Sequence, residues 1–217
     1  NEYIRLLYSK AIVLGINLGD VQAAISVCEE AISMKDYFPY DEDIAGCYGK
    51  LLQFLAYEGK KDELETRIPE ARAYLNTGDN AYTLTAQMYR LIGNGAYWNK
   101  HYDMAIPYYE KYLSFNVREE GNSFVEIPNM LAVAYILTDN SKQANILLSK
   151  ILDKYSHELD ELPQIKSLIL HNYGRSFMLL GDKTQALKLF LESNSIFRQL
   201  YNEDNPKTIQ YIRECQG

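Results

Sequence analysis

The chain has 217 residues and a net charge of −7, with 47% hydrophobic, 24% charged and 12% aromatic residues, which excludes disordered and collagen-like classes. Its 12 Gly and 6 Pro are few, which favours long regular segments. The acidic balance, with no basic block, argues against a nucleic-acid surface, because phosphate binding draws on clustered Lys and Arg. The longest apolar-rich uncharged stretch, Ile127 to Thr138, is well short of the roughly 20 residues of a membrane span, so neither nucleic acid nor membrane is expected as a partner. Three cysteines, Cys28, Cys47 and Cys215, form no CxxC pair and point to a reducing, cytoplasmic setting. The chain begins at Asn1 without a methionine or a secretory leader, which reads as a part of a longer protein.

One pattern recurs five times. A turn residue precedes an apolar stripe in GDVQAAISVCEEA from Gly19, GKKDELETRIPEA from Gly59, KHYDMAIPYYEKY from Lys100, DNSKQANILLSKI from Asp139 and GDKTQALKLFLES from Gly181. The central positions, Ala24, Leu64, Ala105, Ala144 and Ala186, recur with a period near forty. Apolar residues three and four apart mark a helical face, not a pleated strand. A second helical segment precedes every turn: Ile4 to Ile16, Tyr48 to Tyr57, Leu84 to Trp98, Ile127 to Leu137 and Leu168 to Leu180. Gly or Asp between the two supplies left-handed backbone or an N-cap.

The chain therefore reads as all-α: helix pairs over about 2–36, 40–76, 80–116, 123–156 and 161–200, with a capping helix over 204–215. A pair this small cannot bury its apolar face alone, so the pairs must stack around a continuous core, here taken as one domain. Short linker-like stretches, including Val117 to Ser123, fall between pairs.

These residues resemble the tetratricopeptide repeat family over nearly the whole chain. The best copies are YRLIGNGAYWNKHYDMAIPYYEKYL from Tyr89 and LHNYGRSFMLLGDKTQALKLFLES from Leu170. In that family a small residue on the first helix meets a small and a large one on the second. Gly93 with Ala105 and Tyr109, Ala132 with Ala144 and Leu148, and Gly174 with Ala186 and Phe190 fill those roles. Ile12 and Leu52 stand where a small residue is usual, and Leu64 replaces the central alanine. The period near forty exceeds the family's common ~34 and is similar to that of kinesin light chains and of Gram-positive peptide-sensing regulators. The resemblance implies a right-handed superhelix of about five helix-turn-helix repeats whose first helices line a peptide-binding groove.

The implied groove residues are Ser9 and Asn17; Gln53 and Tyr57; Arg90, Asn94, Tyr97 and Trp98; Asn129 and Val133; and His171, Arg175 and Met178. Asn94 and Asn129 each present a donor and an acceptor to a peptide unit. Arg90 and Arg175 suit a carboxylate, and Tyr97 and Trp98 offer rigid apolar area. Together they suit an acidic or C-terminal peptide. Arg90 and Asn94 also resemble part of the carboxylate clamp of some family members, without its remaining basic residues.

No catalytic set, metal cluster or cofactor loop is recognisable, so a non-enzymatic binding module is expected, with no cofactor. His101 reads as a solvated helix-start residue and His157 as part of a polar charge run. The GNG at Gly93 to Gly95 lacks the strand that a phosphate loop requires, and Gly95 has no packing duty in this register. Cys28 reads as a small buried hydrophobe. The competing class is a scaffold or oligomerisation segment, and a homodimer stays open.

Overall fold

The computed structural model describes residues 1–38, 40–117 and 123–200, and the expected cap over 204–215 lies outside them. Among the described residues every regular element is helical. The first three pairs are α1 (Glu2–Ile12) with α2 (Val21–Ile32), α3 (Glu42–Tyr57) with α4 (Lys61–Leu75), and α5 (Ala81–Trp98) with α6 (Tyr102–Ser114). They are followed by α7 (Ser123–Leu137) with α8 (Ser141–Lys154), a short α9 (Ser156–Asp160), and α10 (Pro163–Leu179) with α11 (Lys183–Leu200). The all-α hairpin fold of the sequence reading is thus observed. Two compact units divide the chain, Asn1–Arg118 and Glu119–Gly217, at the linker-like stretch 117–123.

The turn residues do what the sequence predicts. Gly19, Gly59, Lys100, Asp139 and Gly181, one per hairpin, have φ of 72°, 71°, 64°, 59° and 86°. In four hairpins the next residue's N–H closes the helix end on a carbonyl five residues back: Lys60 on Leu55, His101 on Ala96, Asn140 on Tyr135 and Asp182 on Phe177. This left-handed cap satisfies carbonyls the helix would leave orphaned. Asp20 and Asp182 also accept from the N–H of Ala23 and Gln185, which caps the second helix.

The first hairpin differs by one residue. There the Asp20 N–H reaches Leu14, six residues back, because α1 continues into a π-helical turn over Val13–Asn17. An inserted residue of this kind shifts the helix register. The shift accounts for Ile12, the apparent exception to the small-residue rule. Ala11, thirteen residues before Ala24 instead of the usual twelve, is the fully buried one, and Ile12 is only half-buried. Gly15 sits within the π turn, where an added Cβ would lie 2.2 Å from the Phe54 ring of α3.

In the first unit α3 is the central helix. Ile44, Cys47, Tyr48, Leu51, Leu52 and Leu55 are fully buried around its circumference, and it packs against α1, α2, α4 and α5. Cys28 is fully buried as well, as expected. Gly93 lets α6 approach: a Cβ there would meet the Tyr109 ring at 2.6 Å. The second hairpin carries fully buried Leu52 and Leu64 at the corresponding positions, and α4 meets α3 over a shorter contact than α6 makes with α5.

In the second unit a Cβ added at Gly174 would lie 2.6 Å from the Phe190 ring. Val125, Ala132, Ile136, Ala144, Leu148, Ile151 and Ile169 form the core around which α7, α8 and α10 pack. The short α9, which sequence reading missed, contributes fully buried Leu159 to it.

Candidate functional site

The candidate residues of the first unit lie on α3 and α5. Helix geometry puts Arg90, Asn94 and Trp98, at intervals of four, on one stripe of α5. Lys50, Gln53 and Tyr57 form the matching stripe of α3. The two helices are pressed together at Gly95, where a Cβ would lie 2.0 Å from the Gln53 carbonyl oxygen and 3.2 Å from the Tyr57 nitrogen. This corrects the expectation for Gly95: it is the point of backbone-to-backbone approach between neighbouring first helices.

That approach brings Gln53, Tyr57 and Trp98 to one cavity of about 190 Å³, shared with Ile16 and Gly19 at the end of α1 and with Phe54. Its mouth is apolar. Trp98 is 54% exposed and Ile16 48%, unusual for large hydrophobic side chains. The π turn is what carries Ile16 to this position, one residue beyond ordinary helical register. Asn99 ties the rim down by donating to the Tyr57 carbonyl at 2.7 Å.

Further along the two stripes, outside the cavity lining, are two cations whose hydrogen-bond partners among the described residues are neutral. The half-buried Lys50 donates to Gln53 Oε1 at 2.9 Å, and the half-buried Arg90 donates through Nε to Gln87 Oε1. Neither is in an ion pair among the described residues. Burial lowers the Lys50 pKa, and the charge of Arg90 lowers it further. The charge of Arg90 adds to the cost of burying the Lys50 charge, a cost that an anionic ligand would relieve. Lys50 went unremarked in the sequence, where it reads as one more surface lysine.

Asn94, between Arg90 and Trp98, is 8% exposed and accepts from Tyr109 Oη at 2.9 Å. Its oxygen is thus engaged inside the hairpin, and its amide hydrogens are what it can offer outward. Tyr97 turns to the other side of α5, packed edge-on to Tyr102 at 5.4 Å and near Tyr109 at 6.3 Å.

The candidates of the second unit are more enclosed. Asn129 is 8% exposed and accepts from Asn172 Nδ2 at 3.0 Å. His171 is 9% exposed, with its ring 5.3 Å from that of Phe190. Arg175 is half-buried on α10, while Met178 is exposed. Ser9 and Asn17 are exposed on the α1 segment, and Val133 is half-buried on α7. Of the other histidines, His157 lies in α9, and His101 is half-buried as the residue preceding α6, against Gly59. Among the described residues there is no cluster of three metal-ligating side chains, and no helix is long and apolar enough to cross a membrane.

With this geometry established, comparison with known proteins is informative. A tetratricopeptide-repeat family model matches residues 4–37, the first hairpin, whose register the π turn obscures. The first hairpin matches a tetratricopeptide repeat. A "TPR repeat-containing protein" of Treponema pallidum (strain Nichols) is 24% identical over 164 residues, 74% of this chain. The repeat chain spans only 19% of that relative's length. The crystal structure of nearly identical TPR-like repeats of a Podosopora anserina kinesin light chain superposes with a TM-score of 0.63. It is 15% identical and covers 92% of this chain and 97% of that one. A single-substitution variant of the same protein gives 0.61, with 91% and 96% covered. These likenesses establish the repeat fold, which generally serves as a protein-interaction module.

Proposed function

We propose that this tetratricopeptide-repeat chain is a non-enzymatic binding module whose first unit holds an acidic, extended segment of a partner protein along α3 and α5. The observation that carries the reading is the pair Lys50 and Arg90, half-buried, mutually repelling and matched only by neutral amides. A ligand carboxylate between them would form charge-assisted bonds in a partly desolvated setting. The Asn94 amide would donate to a peptide carbonyl. The 190 Å³ cavity under Trp98 would take one apolar side chain as an anchor.

The dimensions specify a motif. Arg90 and Trp98 are eight residues apart on one helix, about 12 Å at a rise of ~1.5 Å per residue. An extended peptide covers that in roughly three to four residues at ~3.3 Å each. The preferred ligand thus has an acidic residue about three or four positions from an aromatic or aliphatic one. Asn129, His171 and Arg175 would form a contact set of their own within the second unit. The long repeat period supports a finer version, the sensory part of a cytoplasmic peptide-responsive regulator. A scaffold or homodimer reading is favoured by one observation, the exposed Leu187 and Leu191 on α11.

Trp98 is the only tryptophan, so intrinsic emission reports on the cavity directly. Titration with the acetylated peptide Glu-Asp-Ala-Ala-Leu-Phe should shift Trp98 emission saturably, and the shift should vanish in Lys50→Gln/Arg90→Gln. An unshifted emission, or one equally shifted by the Gln-Asn counterpart of the peptide, overturns the proposal.

A further inference from the structure

A larger opening lies elsewhere in the first unit. Between α4 and α6 is a cleft of about 770 Å³, within the ~300–1,000 Å³ range of ligand-holding pockets. Its origin lies in the second hairpin. Leu52 and Leu64 occupy positions that are small in the other hairpins, and α4 meets α5 over a much shorter contact than α2 makes with α3. The α4 residues that face the gap are Lys61, Glu65 and Ile68, a stripe with one apolar member, too polar to close against α6.

The floor is apolar and aromatic. Tyr89 of α5 is 7% exposed and stacks on Tyr108 of α6 with centroids 6.4 Å apart and planes 18° from parallel. Ile68, Met104 and Pro107 complete it. The rim carries Lys61, Lys100 and Lys111 against Glu65 and Asp103. Glu65 already lies 3.9 Å from Lys61. Lys100 and Lys111 are in no ion pair among the described residues. Lys100 is held at the rim by the positive φ of its hairpin turn. In a chain of net charge −7, three rim lysines against two carboxylates leave a slight local excess of positive charge above the aromatic floor.

We propose that this cleft is a second docking surface, which takes an acidic segment of a partner protein with an aromatic or aliphatic side chain inserted onto the tyrosine floor. It is formed mainly by the second helices α4 and α6, with Tyr89 of α5 in its floor, and shares no lining residue with the Trp98 cavity. One chain can then hold two segments at once, which makes it a bridge between partners and not only a receptor for one. Charge complementarity selects the acidic segment, and the tyrosines supply rigid contact area at low entropic cost.

The test is fluorescence polarisation of the full chain with a fluorescein-labelled peptide of alternating Asp, Glu and Phe. Its Asn-Gln-Phe counterpart and a neutral proline-rich peptide serve as comparisons. Lys100→Glu/Lys111→Glu changes exposed residues and should leave the helical circular dichroism intact. In Arg90→Gln/Trp98→Ala, which removes the α3–α5 site, the acidic peptide should still bind, and adding Lys100→Glu/Lys111→Glu to that variant should cost about tenfold or more in affinity. Three results would overturn the proposal: no binding of the acidic peptide, equal binding of either comparison peptide, or unchanged affinity when the charge reversal is added. Loss of binding in Arg90→Gln/Trp98→Ala alone would assign the peptide to the α3–α5 face and leave the cleft without a role.

Discussion

The two units differ in how their polar side chains and cations are matched. In the second, several buried polar groups pair with one another, although Asn194 Oδ1 is buried without a hydrogen-bond partner among the described residues. Asn172 donates to Asn129, Asn145 donates to Ser176 Oγ at 3.0 Å, and Ser193 donates to the Ser167 carbonyl at 2.7 Å across α10 and α11. In the first, Lys50 and Arg90 repel one another and have amide hydrogen-bond partners but no ion pair among the described residues. Internally matched polar groups hold helices in register, while unmatched charge is a cost retained for something outside the fold. The same residue type therefore means different things in the two places. Asn129 is half of a buried amide pair, and Asn94 borders a face with unpaired cations.

The largest expected effect falls on the closest approach. Gly95→Ala places a Cβ against the Gln53 carbonyl, a backbone atom that cannot rotate away, and should cost about 3–5 kcal/mol in thermal or denaturant unfolding. Gly93→Ala meets the side chain of Tyr109 instead and should cost less, which makes the ordering of the two a check on the geometry. In the second unit, Asn172→Ala leaves Asn129 buried without its donor and should cost about 1–3 kcal/mol. The double variant Asn129→Ala/Asn172→Ala should fall short of the sum of the singles.

Lys50→Met sharpens the contrast, because it should stabilise the free protein by about 0.5–2 kcal/mol while weakening acidic ligands. The Lys50 pKa is depressed, so the charged form is the disfavoured one in the fold. The gain of Lys50→Met over wild type should accordingly be largest at neutral pH and shrink as alkali discharges the lysine.

The smallest effect concerns Glu70 of α4. A hydrogen bond from Lys35 holds its carboxyl below the usual 4.5, with further bonds from Arg67 and Tyr48. A carboxylate depressed in the fold stabilises above its unfolded pKa and loses that contribution as pH falls through its folded value. Unfolding of wild type and Glu70→Gln should thus differ at neutral pH and converge on acidification below 4.5.

Much of the fold was legible in the sequence because its signals are local. The five left-handed turns announced themselves through Gly19, Gly59, Lys100, Asp139 and Gly181, and the small-residue pairs around Gly93 and Gly174 through a fixed spacing of twelve. The π turn was not legible. Phe54 of α3 fills the space beside Gly15, a contact between helices that no local pattern records, and in the sequence the turn leaves only an unexplained Ile12. Helix α9 is equally opaque, since its single buried residue, Leu159, sets up no periodicity.

The candidate site was legible in part. Gln53, Tyr57 and Trp98 do meet at one cavity, because the stripe rule carries over from helix to helix. Tyr97, one residue from Trp98, turns away from them. What escaped was Lys50, whose significance is set by Arg90 on a neighbouring helix, and the duty of Gly95, which exists only once α3 and α5 are in contact.

The central claim is that unmatched positive charge on α3 and α5 is kept for an acidic ligand. Calorimetric titration of the wild type and of Lys50→Gln/Arg90→Gln with the Glu-Asp-Ala-Ala-Leu-Phe peptide, at low and high salt, tests it most directly. The account predicts binding that weakens with salt in the wild type and is at least about tenfold weaker in the variant, whose own unfolding temperature is no lower. Equal affinities for the two proteins would contradict it.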